Sequence, residues 1–284
     1  MNQETTNFKT FNYQENGQVA FSILSTIKTT SILDSGLYNI ETVWENGYKT
    51  NLSLLQNIET YDSTIPYHFK DKLDKIFDVF YNPTVKKNIN KLGYKHKIGV
   101  LLHGKQGTGK TSLLKSYFEK AYREQNAIVF NFTSLDNFSK TWDFIKGIRK
   151  IQNNPIVIFL DECDELFSKY NVETSVKVAL DGFDSIDNCI ILMSTNYIDK
   201  IPDAIKDRPS RVKYTIEVEG IQDEEVISNF LKESFEKVNM EFNLEKEVSK
   251  MKGWTIDDLK QWVLDKVMDI EPEEKVNNKM GFSK

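Results

Sequence analysis

Only two of the 284 residues are cysteine, Cys163 and Cys189, and neither has a partner at metal-ligand spacing. That scarcity excludes a disulfide framework and a zinc module, and two buried free thiols suit a reducing compartment. No apolar run reaches membrane-spanning length, so no membrane partner is expected. The first residues, Met1-Asn2-Gln3-Glu4-Thr5-Thr6, lack a basic-then-apolar signal, and the chain reads as cytoplasmic. There is no dense Lys/Arg block, and 37 basic residues against 42 acidic ones leave a net charge of −5. Electrostatics therefore do not indicate a nucleic-acid partner. Internal repeats and low-complexity segments are absent too. What remains is an ordinary globular composition, long enough for one large domain or two smaller ones.

The most informative stretch is Gly104-Lys105-Gln106-Gly107-Thr108-Gly109-Lys110-Thr111, which fits the phosphate-binding pattern G-x-x-x-x-G-K-[ST] without a mismatch. The apolar run Ile98–Leu102 precedes it, and a helix-forming run opening at Ser112 follows. This is the strand, loop and helix that the motif requires. Glycines allow the backbone N–H groups to converge on a phosphate, and the helix N-terminus adds partial positive charge. Lys110 supplies a full charge for the terminal phosphates, and the Thr111 hydroxyl is a ligand for Mg²⁺.

Apolar runs at 127–132, 156–160, 190–194 and 212–218 read as further strands, with helical stretches between them. Strands alternating with helices predict an α/β fold with a parallel sheet covered on both faces. Ahead of the loop, Phe69, Leu73, Ile76, Phe77 and Phe80 fall at helical spacing. Asn82-Pro83 then restarts a helix as N-cap and first turn, and Gly93 stops it. Residues 1–66 differ in texture. Two β-prone runs, Leu37–Trp44 and Lys49–Leu55, flank Asn46-Gly47, a strong hairpin signal. They predict a small β-containing N-terminal module, or else an extension packed on the main domain. From Gly220 onward three amphipathic stripes predict a small all-helical domain: Val226, Phe230, Leu231, Phe235; Phe242, Leu244, Val248, Met251; and Ile256, Leu259, Trp262, Val263, Val267, Met268. A polar tail follows residue 270. The expected boundaries are 1–66, 67–219 and 220–284.

The strand at 156–160 runs into Asp161-Glu162-Cys163-Asp164-Glu165. Asp161 can hold Mg²⁺ through water alongside Thr111, and Glu162 can polarise an attacking water. Asp164 and Glu165 read as an acidic helix start favoured by the helix dipole. The next strand ends in Ser194-Thr195-Asn196, where Asn196 could orient the water.

Further on stands Pro202-Asp203-Ala204-Ile205 with Arg208-Pro209-Ser210-Arg211. With Leu180-Asp181-Gly182-Phe183-Asp184 and Gly253-Trp254-Thr255-Ile256-Asp257-Asp258-Leu259, these segments resemble motifs of the AAA+ ATPases, closest to the narrower AAA family. The resemblance covers about residues 70 to 268. It implies a nucleotide-binding α/β domain followed by a helical lid. It makes Gly104, Lys105, Gln106, Gly107, Thr108, Gly109, Lys110, Thr111 and Ser112 the nucleotide-binding segment, Asp161 and Glu162 the acid pair, and Asn196 the first sensor. Arg208 and Arg211 become arginine fingers acting in trans on a neighbouring copy. The cofactors implied are ATP and Mg²⁺, and the partners are further copies of the chain in a hexameric ring and an unidentified protein substrate or assembly.

The sequence departs from the family pattern at several places. Lys105-Gln106 replaces Pro-Pro, Ser210 replaces Gly between the arginines, and no lid arginine stands as a second sensor. Phe138, Trp142 and Phe144 lie near the place of a substrate-gripping loop, yet none is in an aromatic-x-Gly setting. Two functions follow: an ATPase that remodels a protein or protein–nucleic-acid assembly, and a nucleotide-gated loader or scaffold that uses ATP binding to switch assembly. A retained Glu162 and paired arginines favour the first. No guanine-reading N-K-x-D motif is present.

Overall fold

Alternating apolar runs and helical stripes fold as their periods require in a computed structural model, which describes residues 10–13, 19–23, 26–30, 32–44, 47–55, 70–170, 173–181, 185–240 and 247–269. The elements in order are β1 (Thr10–Tyr13), β2 (Val19–Ile23), β3 (Thr26–Thr30), β4 (Gly36–Trp44), β5 (Tyr48–Leu54), α1 (Lys70–Tyr81), α2 (Pro83–Lys91), β6 (Lys97–His103), α3 (Lys110–Glu124) and β7 (Ile128–Phe132). There follow α4 (Phe138–Ile151), β8 (Ile156–Leu160), α5 (Cys163–Tyr170), α6 (Glu173–Leu180), β9 (Cys189–Thr195), α7 (Asp203–Lys206), β10 (Tyr214–Glu217), α8 (Glu224–Glu236) and α9 (Ile256–Val267). The chain divides into two units, Met1–Gln106 with Lys110–Val218, and Gly107–Gly109 with Glu219–Lys284.

The first unit is built on a seven-stranded sheet of order β10-β6-β9-β8-β7-β4-β5, with β1-β2-β3 forming a separate small sheet. All pairings in the large sheet are parallel except β4 with β5. Side chains alternate between its faces as the pleat demands. Ile156, Ile158 and Leu160 of β8 join α4, α5 and α6 in one core. Val157 and Phe159 of the same strand join α1 and α3 in another. Strands covered on both faces are apolar throughout, which is why β8 and β9 have no exposed residue.

The hairpin signal at Asn46-Gly47 is realised as β4 and β5, and the pair extends the main sheet. β4 lies parallel to β7, with Tyr38 opposite Phe130 and Ile40 opposite Phe132. Tyr38, Ile40 and Leu52 are buried in the core beneath α4. Polar groups fix the attachment. Thr141 of α4 donates to Thr42 (2.8 Å), whose hydroxyl shares a 2.8 Å bond with Thr50, and the Asn137 amide donates to the Thr42 carbonyl (3.1 Å).

At α2 the Asn82 side chain accepts from the Thr84 and Val85 amides at 2.9 and 3.3 Å, as an N-cap should. In the second unit Ile227, Leu231 and Phe235 of α8 pack with Val248, Met251, Leu259 and Trp262. In α8 Leu231 and Phe235 are buried as expected, while Ile227 takes the first place of the i, i+4, i+8 row and leaves Val226 and Phe230 half-buried. Thr255 and Asp258 form a capping box that starts α9. Val267 and Met268, expected in the third stripe, are exposed. Glu45-Asn46, Phe69, Gly182-Phe183-Asp184, Phe242, Leu244 and the tail after Asp269 lie outside the described residues. Among the described residues no helix is long and apolar enough to cross a membrane.

Candidate functional site

Parallel pairing sends the C-terminal ends of β6, β8 and β9 to the same edge of the sheet, with β9 between the other two. Leu102 stands opposite Ser194, and Leu160 opposite Met193, so Asp161 and Ser194 leave their strands side by side. The loop after β6 opens on Gly104 at φ 151°, where a Cβ would sit 2.1 Å from the Val218 carbonyl oxygen. No other residue fits that approach. Lys105 and Gln106 are exposed, Ser112 is half-buried in the first turn of α3, and Gly107 and Gly109 also take positive φ. Within the second unit, the Asp257 amide donates to the Gly107 carbonyl (3.2 Å).

Lys110 is buried, and its ammonium donates to the carbonyls of Gly104 and Lys105 and to Asn196 Oδ1, each at 2.8 Å. Burial holds its pKa below the usual lysine value, against the opposing pull of Asp161, Asp164 and Glu162. Thr111 Oγ1 donates to Asp161 Oδ1 at 2.9 Å. Ser194 Oγ also donates to Asp161 Oδ1 and accepts from the Glu162 amide (3.1 Å). Glu162 takes φ 45°, and its exposed side chain points clear of the sheet core. Its carboxyl lies above the usual range, first through partial burial and then through Glu165, Asp161 and Asp164. A left-handed, non-glycine residue at a strand end is held by its surroundings, here by Ser194.

Lys110 is therefore hydrogen-bonded to Asn196 and Thr111 to Asp161, with Glu162 next to Asp161. Arg208 and Arg211 are engaged elsewhere in the chain. Arg211 is buried, and donates to Asp181 Oδ2 and to the Ala204 carbonyl. Arg208 reaches the same Asp181 oxygen at 3.0 Å but is mostly exposed. The Arg211 hydrogen bond, above all, holds the Asp181 carboxyl below the usual carboxylate range. Phe138, Trp142 and Phe144 are buried in the core on α4. They project no aromatic group from that loop.

Asp164 is in the first turn of α5, as an acidic helix start would be, but unlike Glu165 it is turned inward and buried. Thr195 Oγ1 donates to it at 2.6 Å and accepts from the Tyr197 amide at 2.9 Å. The supporting roles of Ser194, Thr195 and Asp164 escape a motif reading, and the motif that contains Asp181 does not give its pairing with Arg211. The available signal was Ser194-Thr195-Asn196 closing an otherwise apolar strand, and the acids Asp161 and Asp164, spaced i and i+3, after the strand that precedes it.

The chemistry of the donor set fits a magnesium-bound phosphate chain. Thr111 and Asp161 place two hard oxygen donors together, and Lys110 directs its donors at oxygen atoms that phosphate oxygens can replace.

Residues 100–220 match the model of the ATPase family associated with various cellular activities (AAA). The chain is 31% identical over 149 residues to Protein CdcH of Halobacterium salinarum, covering 47% of this chain and 19% of that protein. It is 32% identical over 155 residues to the proteasome-activating nucleotidase of Saccharolobus solfataricus, covering 48% and 37%. With the ATP-dependent zinc metalloprotease FtsH of Borreliella burgdorferi the identity is 29% over 179 residues, covering 56% and 27%. The chain thus spans between 19 and 37% of the length of these relatives.

Proposed function

Residues 100–220 of this chain form a domain of the AAA+ ATPase superfamily, and from that premise we propose that the chain hydrolyses ATP with Mg²⁺ in an oligomeric ring and couples hydrolysis to remodelling a protein or protein–nucleic-acid assembly. The observation that carries the reading is the convergence of Lys110, Thr111, Asp161 and Asn196 on one strand edge, with Glu162 beside them. Magnesium neutralises charge on the phosphates and orients them. Thr111 and Asp161 would hold it. Lys110 would exchange its carbonyl partners for phosphate oxygens, Glu162 would accept a proton from the attacking water, and Asn196 would orient that water. Arg208 is the more available of the two arginines for the nucleotide of a neighbouring copy. There it would offset the charge that spreads over the γ-phosphate oxygens, an effect worth on the order of a thousandfold or more in rate. Arg211, held by Asp181 and Ala204, would brace it.

The test is Glu162→Gln. It should bind ATP normally, lose at least about a hundredfold in turnover, and accumulate as an assembled, ATP-bound form on a sizing column. Normal turnover in that variant would remove Glu162 from the mechanism. Specific activity should also rise with chain concentration. A flat profile from a monomer would exclude a shared site.

A further inference from the structure

Asp164, in the segment that follows the acid pair, has no role in the scheme above. It is 2% exposed, while Glu165 beside it is open to water. A carboxylate that merely favoured a helix N-terminus would do so on the surface without the cost of burial. Its oxygen accepts from the Thr195 hydroxyl at 2.6 Å, and Thr195 is itself fully buried.

The direction of this pair is fixed by proton counting. A threonine hydroxyl has one proton to give. Thr195 Oγ1 accepts the Tyr197 amide proton at 2.9 Å, so its own proton is directed to the carboxylate. The chain of donors runs Tyr197 N–H to Thr195 O–H to Asp164. It closes a short turn between residues 195 and 197, and Asn196 stands at the apex. From there Asn196 Oδ1 accepts from Lys110 at 2.8 Å.

The residue before is gripped in turn. Ser194 donates to Asp161 and accepts from the Glu162 amide. Successive side chains of a strand leave on opposite faces. The end of β9 is thus held through Ser194 by the acid pair and through Thr195 by Asp164, and Asn196 follows directly on these two anchors.

We infer that Asp164 is a positioning residue: through Thr195 it fixes the turn that carries Asn196, and so sets the Asn196 amide beside Lys110 and the reacting phosphate. This rests on the hydrolytic reading of Lys110 and Asn196 given above. Asp164 bonds to Thr195 and not to Lys110, Thr111 or Asp161, so its effect through Asn196 is expected in kcat more than in nucleotide affinity. A displacement of about 1 Å in a group that orients a reactant costs up to about a hundredfold in rate.

Thr195→Val keeps the shape and deletes both hydrogen bonds, Thr195→Ser keeps the hydroxyl, and Asp164→Ala removes the acceptor. Two measurements are made on the full chain. The first is the side-chain amide signal of Asn196 in nucleotide-free protein labelled with ¹⁵N-asparagine, identified by its loss in Asn196→Asp. The second is the steady-state kinetics of ATP hydrolysis, with affinity for a non-hydrolysable ATP analogue. Thr195→Val and Asp164→Ala should shift or broaden the Asn196 signal and lower kcat by about ten- to a hundredfold, with analogue affinity changed less than about threefold. Thr195→Ser should restore the signal and most of kcat. An unmoved Asn196 signal in Thr195→Val overturns the clamp, whatever happens to activity. So does a kcat loss that Thr195→Ser fails to restore. Absence of ATP turnover by the wild-type chain at every concentration overturns the hydrolytic reading, and the nucleotide-free signal still decides whether the clamp sets Asn196.

Discussion

Arg211 and Asp181 form an ion pair in which the guanidinium is nearly closed off from solvent, at 7% exposure, while Arg208, on the same carboxylate oxygen, is 60% exposed. The two arginines of one motif therefore differ in what their loss would cost. Arg211→Ala removes a buried guanidinium with its hydrogen bonds to Asp181 and the Ala204 carbonyl and leaves Asp181, 34% exposed, to water and Arg208, whereas the exposed Arg208 pair contributes little. Arg211→Ala should lower unfolding stability by about 1–3 kcal/mol, and Arg208→Ala by less than about 1 kcal/mol. Chemical denaturation of both variants checks this. The pair also sets an acid limb. Asp181 has a folded pKa below its unfolded value, so its contribution is present above the ordinary aspartate range and fades as pH falls through the folded value. Stability measured from pH 6 down to pH 3 should fall less steeply in Arg211→Ala than in the wild type. Equal slopes would mean that the pair does not contribute.

Both cysteines are expected to be inert in the native protein. Cys163 and Cys189 are buried, and burial raises both thiols, Cys189 up to about 12. A thiol raised on folding contributes stability that is complete below its unfolded value and lost as pH rises through the folded one. At pH 8 a thiol-reactive chromophore should label neither residue until the protein unfolds, and both afterwards. Rapid native labelling of even one would contradict the packing of β9 or α5.

Removing residues 1–55 should leave a protein that does not stay soluble. The truncation would strip β4 and β5 from the sheet, uncover the apolar partners of Tyr38, Ile40 and Leu52, and turn β7 into a bare edge. A dye that binds exposed apolar surface should light up in whatever fraction remains in solution. A truncated chain that is soluble, with a cooperative melt close to that of the full chain, would instead make the strand pair an accessory.

What was legible in the sequence, and what was not, has a physical pattern. The strands of the main sheet could be read because burial on both faces leaves long apolar runs, as at Ile156–Leu160. The cap at Asn82 could be read because capping is local chemistry. The partner of the β4–β5 hairpin was open, because Asn46-Gly47 specifies a turn but nothing in it specifies which edge the hairpin joins. The phosphate loop and acid pair announce themselves by type and spacing. Their hydrogen-bonded support does not. Thr195 meets Asp164 across 31 residues, and Asp181 meets Arg211 across 30, so only the folded sheet brings them together.

Lys110 supplies the last prediction. Its ammonium is held by two backbone carbonyls and Asn196, and burial lowers its pKa. A lysine depressed on folding opposes stability while it is charged, and that penalty lifts as pH rises from the folded value toward the unfolded one, about 10.4. Lys110→Met retains the stem, removes the buried charge and frees the carbonyls of half-buried Gly104 and exposed Lys105. Without nucleotide its stability should lie within about 1 kcal/mol of the wild type. With ligand the two should part. A ligand at a hundred times its Kd stabilises a protein by about 2.7 kcal/mol, and the wild type should show that gain with an ATP analogue and Mg²⁺ while Lys110→Met shows almost none. Thermal melts with and without the analogue make the comparison. If the variant gains as much as the wild type, Lys110 does not bind the phosphates, and the loop between β6 and α3 serves another purpose.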